Sequence, residues 1–198
     1  MRIAVDVDGV LLDLMIKYCE VFNERYQTNY KKSDVTRWDF FEAWNIDESK
    51  AFEIFHNIYQ KTSDVPFIDN KALEVLKDLN KTNHIDIVSA RTSKFKKQLK
   101  KKLKSHGIKK GTHYENLILV HDKPYDIKLR LDYDIYIDDS PHLAAAVREK
   151  NNSILFLYDQ PWNRQINDVE NIIRVKNWKS IHQKIKNLEF GKIGVDKS

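Results

Sequence analysis

Six short runs of β-forming apolar residues lie along the chain at 2–7, 85–89, 117–120, 134–138, 154–158 and, less cleanly, 172–175. Helical patterns at 70–80, 93–105 and 141–150 fall between most of them. A chain that alternates strands with helices builds βα units, and these close around a mostly parallel sheet. Stretches such as "IDIV" and "DIYI" are apolar enough to be covered on both faces, so helices are expected on both sides. The expected fold is therefore α/β, a Rossmann-like, mostly parallel sheet between two helical layers. In such sheets ligands collect at the carboxyl ends of the strands.

One stretch breaks the alternation. Residues 14–67 contain no convincing strand; Leu14, Tyr18, Phe22 and Tyr26 mark one helix, and Phe52, Phe55 and Tyr59 mark another. Between them runs the aromatic-rich "TRWDFFEAW". A helical segment that leaves after the first strand and returns before the second reads as a small inserted cap. The expected organisation is a core from 1–13 and 68–188, a helical cap at 14–67 and a frayed tail at 189–198.

A hydrophobic share of 41% beside a charged share of 32% supplies enough material for a packed core. No apolar run approaches the ~20 residues a membrane span needs, and no signal-peptide pattern opens the chain. Cys19 is the single cysteine, so no internal disulfide framework forms, and a reducing cytoplasm is the expected location. The net charge of +5 gathers in "SKFKKQLKKKLKSHGIKK", where Phe95, Leu99 and Leu103 give an amphipathic helix with a lysine-rich wet side. That is read as a solvated face. The histidines show no zinc-type spacing, and Cys19, beside Met15 and Phe22, is read as packed.

The chemistry lies at strand ends. The first strand runs into "DVDGVLLD", bringing Asp6, Asp8 and Asp13 close together. Carboxylates so placed raise one another's pKa unless a cation or proton intervenes. The second strand ends "SAR", with Ser89 and Arg91; "VHDKP" follows the third, with Lys123; the fourth ends in Asp138 and Asp139. Together these types suit phosphoryl transfer. A carboxylate beside a metal attacks phosphorus, a second one two residues on moves the proton, and a hydroxyl and a lysine hold the phosphate oxygens. An oxygen-rich Mg²⁺ site uses the remaining acids. A calcium loop is excluded, because Gly9 is fourth from Asp6 and residues 10–12 offer no side-chain oxygen. A receiver domain is disfavoured, because there the paired acids come first and the lysine last.

In that order, DxDGVL, a strand ending in Ser, Lys, and a strand ending in Asp-Asp, the chain resembles the haloacid dehalogenase (HAD) superfamily over residues 1–145. Within it, the chain is most similar to the 5'(3')-deoxyribonucleotidases, which share the helical cap, the "DK" third motif and the "IDD" fourth. The resemblance implies a HAD-like core and an Mg²⁺-dependent phosphomonoesterase that cleaves nucleoside monophosphates through an aspartyl phosphate. It implies Asp6 as nucleophile, Asp8 as general acid/base, and Ser89, Ala90, Arg91 and Lys123 around the phosphate. Mg²⁺ would be held by Asp6, the Asp8 carbonyl and the Asp138–Asp139 pair, with Asp139 as the direct ligand and Asp138 orienting it. The second motif reads Ser-Ala where animal nucleotidases have Thr-Ser, so a backbone amide or Arg91 would replace the hydroxyl. Lys128 is a second candidate for the third-motif lysine, although Lys123 fits the Asp-Lys context better.

Trp38, Phe40, Phe41 and Trp44 form a candidate base-stacking wall, and Phe67, at the return from the cap, is another candidate. Taken singly, Trp38, Phe40, Phe41 and Trp44 are each read first as cap core; the stacking reading belongs to them as a group. In "YDQPWNR", residues 158–164, Trp162 and Arg164 could reach the cap or a substrate, or anchor a surface loop. The expected partners are a small phosphate ester and a second copy of the chain in a homodimer, with no stable nucleic acid and no membrane. Two alternatives stay open: a HAD phosphatase for a sugar phosphate or similar ester, and a non-catalytic nucleotide or nucleic-acid binder.

Overall fold

A computed structural model describes residues 1–121, 127–149 and 152–195. Six strands, β1 (Arg2–Val5), β2 (His84–Ser89), β3 (Asn116–Leu119), β4 (Ile135–Asp138), β5 (Ile154–Tyr158) and β6 (Ile172–Val175), form one sheet in the order β3-β2-β1-β4-β5-β6. Every pairing is parallel, so the sheet is fully rather than mostly parallel. The chain steps outward from β1 to β2 and β3, then crosses back to β4 and steps outward the other way. This places the topological switch between β1 and β4.

Period-two alternation distributes the strand side chains to two cores. Ile3, Val5, Ile85, Ile87, Ile135 and Ile137 face one cluster, where α4 (Lys71–Leu79) contributes Leu76, α5 (Lys96–Ser105) Leu99, and α7 (Trp178–Val195) Trp178. Ala4, Val88, Tyr136, Leu155 and Leu157 face the other, against Leu143 and Val147 of α6 (Pro141–Glu149). Both faces are thus covered, as a parallel sheet requires.

Between β1 and β2 the chain forms α1 (Leu14–Tyr26), α2 (Phe40–Ala43) and α3 (Glu48–Gln60). Their interior is a nest of rings, with Tyr18 meeting Phe55 at 4.5 Å and Phe40 edge-on at 5.1 Å. The neck of this insertion is clasped by backbone hydrogen bonds from Asp13 N to the Pro66 carbonyl (2.8 Å) and from Ile68 N to the Leu11 carbonyl (3.0 Å). α7 runs through Glu189 to Val195. Glu189 accepts hydrogen bonds from Thr82 (2.9 Å) and Asn83 (2.6 Å), which tie that end of the helix to the turn before β2. Among the described residues no helix is long and apolar enough to cross a membrane.

Candidate active site

Sheet register brings the acids together. Val5 pairs with Ile137, so the next residues, Asp6 and Asp138, leave neighbouring strands at one level; Asp6 N donates to the Ile137 carbonyl at 2.9 Å. Asp6, Asp138 and Asp139 each offer a carboxylate oxygen within 4.8 Å of the others, and all three side chains are buried. Burial first, then Asp138 and Asp8, push the Asp6 carboxyl up to about 7, against the pull of Lys128. Asp139 is likewise held well above the usual carboxylate range by burial and by the charges of Asp138 and Asp6.

One cation already answers this crowd. Lys128, in the 3-10 turn Ile127–Leu131, donates from Nζ to Asp6 Oδ1 at 2.7 Å and Asp138 Oδ2 at 2.6 Å. Burial works to lower its pKa, but Asp138 and Asp6 together outweigh that and raise it. Lys123, the preferred third-motif lysine, lies outside the described residues. His121 is exposed.

Gly9 allows the crowding. It sits at φ +84°, and a Cβ there would lie 1.9 Å from Asp139 Oδ2. Gly9→Ala is therefore expected to displace the Asp139 carboxylate and to strain the turn. The cost should exceed about 1 kcal/mol, since Gly→Ala at a positive φ loses more than the roughly 0.4–1 kcal/mol it gains at a compatible site. Chemical unfolding of the variant measures it, and an unchanged stability would show that the turn tolerates a side chain.

Asp8 faces another way. Its carboxylate takes a bidentate pair from Arg91, Nε to Oδ2 at 2.7 Å and Nη2 to Oδ1 at 2.6 Å. Arg91 is 2% exposed; its Nη1 donates to Thr62 Oγ1 at 3.0 Å, and its guanidinium lies 4.3 Å from the Tyr59 ring centroid. Arg91, expected at a phosphate, is thus engaged with Asp8 and with two residues of the helical insertion. The reason is geometric: a planar fork fits a carboxylate bidentately. Ser89 is buried at the end of β2, and its Oγ accepts from Arg91 N at 3.3 Å. Ala90 follows it on the cavity wall.

Above the acids opens a cavity of about 620 Å³, within the range of small-molecule sites. Its floor carries Asp6, Asp8, Asp138, Asp139 and Lys128; its walls include Trp38, Phe40 and Phe41 from the insertion. Trp38 also meets His142, at the start of α6, edge-on at 5.8 Å, so the insertion touches the core across the opening. Two expected wall residues are elsewhere. Trp44 stacks on Tyr30 at 4.0 Å and packs against Phe22 and Phe40, filling the insertion's own interior. Phe67 stacks with His106 at 3.9 Å, because the clasp at the neck turns it toward α5. Sequence reasoning overlooked Phe52, Phe55 and Tyr59, which complete the wall. Their i, i+3, i+7 spacing marked a helix face, and the same face serves the cavity.

A fit to a divalent cation follows from the donor set. Three buried carboxylates converge with one lysine between two of them, an oxygen-only cluster of the kind that hard cations prefer.

Comparison with known proteins identifies the family and the fold. Residues 1–189 match the family described as "5' nucleotidase, deoxy (Pyrimidine), cytosolic type C protein". A 5'(3')-deoxyribonucleotidase of Bacillus subtilis is 26% identical over 189 residues, covering 92% of this chain and 97% of that one. Among solved structures, a haloacid dehalogenase-like protein of Agrobacterium tumefaciens superposes with a TM-score of 0.61 at 15% identity, covering 95% of this chain and 98% of that one. The magnesium-bound HAD-hydrolase YfnB of Bacillus subtilis gives 0.57 at 10% identity, with 92% and 96% covered. At such identities the superpositions speak for the fold alone. The match over residues 1–189 decides the family: the chain belongs to the 5' nucleotidase, deoxy, cytosolic type C family, a group of phosphomonoester hydrolases on the HAD fold.

Proposed function

We propose that this chain is a Mg²⁺-dependent phosphomonoesterase for nucleoside monophosphates, deoxyribonucleotides preferred, working through an aspartyl phosphate on Asp6. The observation that carries the reading is the convergence of Asp6, Asp138, Asp139 and Lys128 on the floor of an aromatic-walled cavity. Asp6, Asp139 and Asp138, with the Asp8 carbonyl, would hold Mg²⁺, which supplies charge neutralisation for the phosphate oxygens when bound.

Asp6 then attacks phosphorus with a carboxylate oxygen, and the ester oxygen leaves with a proton from Asp8. In the second half Asp8 takes a proton from water, which attacks the phosphoryl group and releases Asp6. Ser89, the Ala90 amide and a lysine (Lys128 or Lys123) stabilise the developing charge. Arg91 sets the direction of the Asp8 carboxylate. An arriving phosphate dianion competes for the same guanidinium, so substrate itself loosens that grip and lets Asp8 carry the proton. Trp38, Phe40 and Phe41 offer flat faces to a base.

A panel of phosphate esters with added Mg²⁺ tests the substrate. Deoxynucleoside monophosphates are expected to lead in kcat/KM over sugar phosphates by about 10-fold or more, the scale of a single stacking contact. A profile led by sugar phosphates would transfer the chemistry to another ester.

The acids also predict a pH signature. In the metal-free protein the Asp6 carboxyl is raised from 3.8 to about 7. The folded state therefore binds that proton more tightly than the unfolded chain does. Its stabilising contribution is complete below the unfolded value and is lost as pH rises through the folded one. A cation replaces the proton, because ligands must be ionised to bind it. Mg²⁺ is thus expected to raise Tm more at about pH 8 than at about pH 5. Thermal melts with and without MgCl₂ measure this, and an equal rise at both pH values would contradict it.

A further inference from the structure

Segment 159–164, after β5, supplies no group to the proposed reaction, yet its side chains grip the two loops that do. Gln160 Nε2 donates to the Gly9 carbonyl at 2.7 Å, and Trp162 Nε1 donates to Asp139 Oδ2 at 3.1 Å. Asn163 Nδ2 donates to the Asp139 carbonyl at 2.9 Å and the Tyr158 carbonyl at 2.8 Å. Beneath them Arg174 of β6 donates from Nη1 to Asn163 Oδ1 at 2.8 Å and Asp159 Oδ1 at 2.9 Å. Gln160, Trp162 and Asn163 are 2%, 4% and 0% exposed. Polar groups are costly to bury unless each finds a partner, and here the partners are the acid-bearing loops themselves.

The contact with Asp139 is the most specific of these. Asp139 Oδ2 lies against Gly9 on one side, where a Cβ would come within 1.9 Å, and against the Trp162 N–H on the other. These two contacts fix the carboxylate's rotation about its Cβ–Cγ bond. Without them the neighbouring carboxylates of Asp6 and Asp138 would drive it aside, since like charges repel at this range. An indole N–H suits the task because it only donates and does not titrate. The ring also lines the cavity, and Lys32 of the helical insertion reaches to 5.9 Å from its centroid while pairing with Asp13 at 2.6 Å.

We propose that Trp162 is a positioning residue that aims the Asp139 carboxylate at the shared cation site and so sets the affinity for the divalent ion. The inference rests on the metal reading above. Hydrogen-bond partners of metal ligands typically govern affinity by about 10- to 100-fold.

The test is titration of Mg²⁺ into the full chain, followed by calorimetry. Trp162→Phe keeps the ring and removes the N–H; it is expected to bind Mg²⁺ about 10- to 100-fold more weakly, with little change in the metal-free Tm. Trp162→His restores a ring N–H and is expected to recover part of the loss. A merely structural indole would not separate the two variants in this way. Should Trp162→Phe fail to fold, the wild-type indole Nε1–H resonance decides: it is expected to shift on Mg²⁺ addition, and an unmoved resonance overturns the proposal. Equal Mg²⁺ affinity in wild type and Trp162→Phe overturns this inference alone. A wild-type chain that binds no Mg²⁺ overturns the metal reading and this inference with it.

Discussion

Asp6→Asn is expected to lower turnover by on the order of 10³-fold or more while leaving the fold intact. An amide cannot attack phosphorus at a useful rate, and no other described carboxylate replaces it. Asp138 and Asp139 belong to β4 and the turn after it, and Asp8 is held toward Arg91. The fold should survive because Lys128 keeps its bond to Asp138 at 2.6 Å. The substitution also removes one member of a crowded set of like charges. Steady-state kinetics on a nucleotide substrate, with circular dichroism as the control for folding, measure the effect. A variant that turns over normally would remove covalent catalysis by Asp6.

The second large effect concerns Lys128. Lys128→Met takes away the cation shared by Asp6 and Asp138 and leaves their carboxylates buried without it. Breaking a buried pair from one side costs about 3–5 kcal/mol, because the remaining charge has no solvent to return to. In metal-free protein near neutral pH the loss should approach that figure. It should shrink toward about pH 5, where the acids can take up protons, and also on addition of a divalent ion that binds the folded state. Denaturant unfolding at both pH values gives the numbers. A loss below about 1 kcal/mol at neutral pH would mean that water reaches these acids more freely than their burial implies.

The strands, their parallel arrangement and the acids at their ends were legible because period-two patterning and strand-end polarity are local signals. Asp6 and Asp138 could be placed together from sequence, since both end apolar runs that a βα alternation puts in one sheet. The aromatic wall was only partly legible. Phe41 lines the cavity and Trp44 does not, although they are three residues apart around the four-residue α2. Which ring turns inward depends on what α1 and α3 present to it, and spacing within so short a helix carries no such information. Arg91 is the same kind of case. Its place after Ser89 suggested a phosphate, whereas the partner it meets within the chain is the Asp8 carboxylate, across 83 residues of sequence. Lys128 stands second to Lys123 by motif context alone; its reach to two acids comes from the 3-10 turn that carries it, which motif context does not show. The bracing by Gln160, Trp162 and Asn163 likewise depends on contacts between distant loops.

The central claim is that acids from the first and fourth strands jointly bind one divalent ion. Its most direct test is a crystal grown with Mn²⁺ in place of Mg²⁺ and measured for anomalous scattering. A single strong peak among the carboxylates of Asp6, Asp138 and Asp139 is the predicted result. A peak elsewhere in the molecule, or none with Lys128 still bridging Asp6 and Asp138, would contradict it.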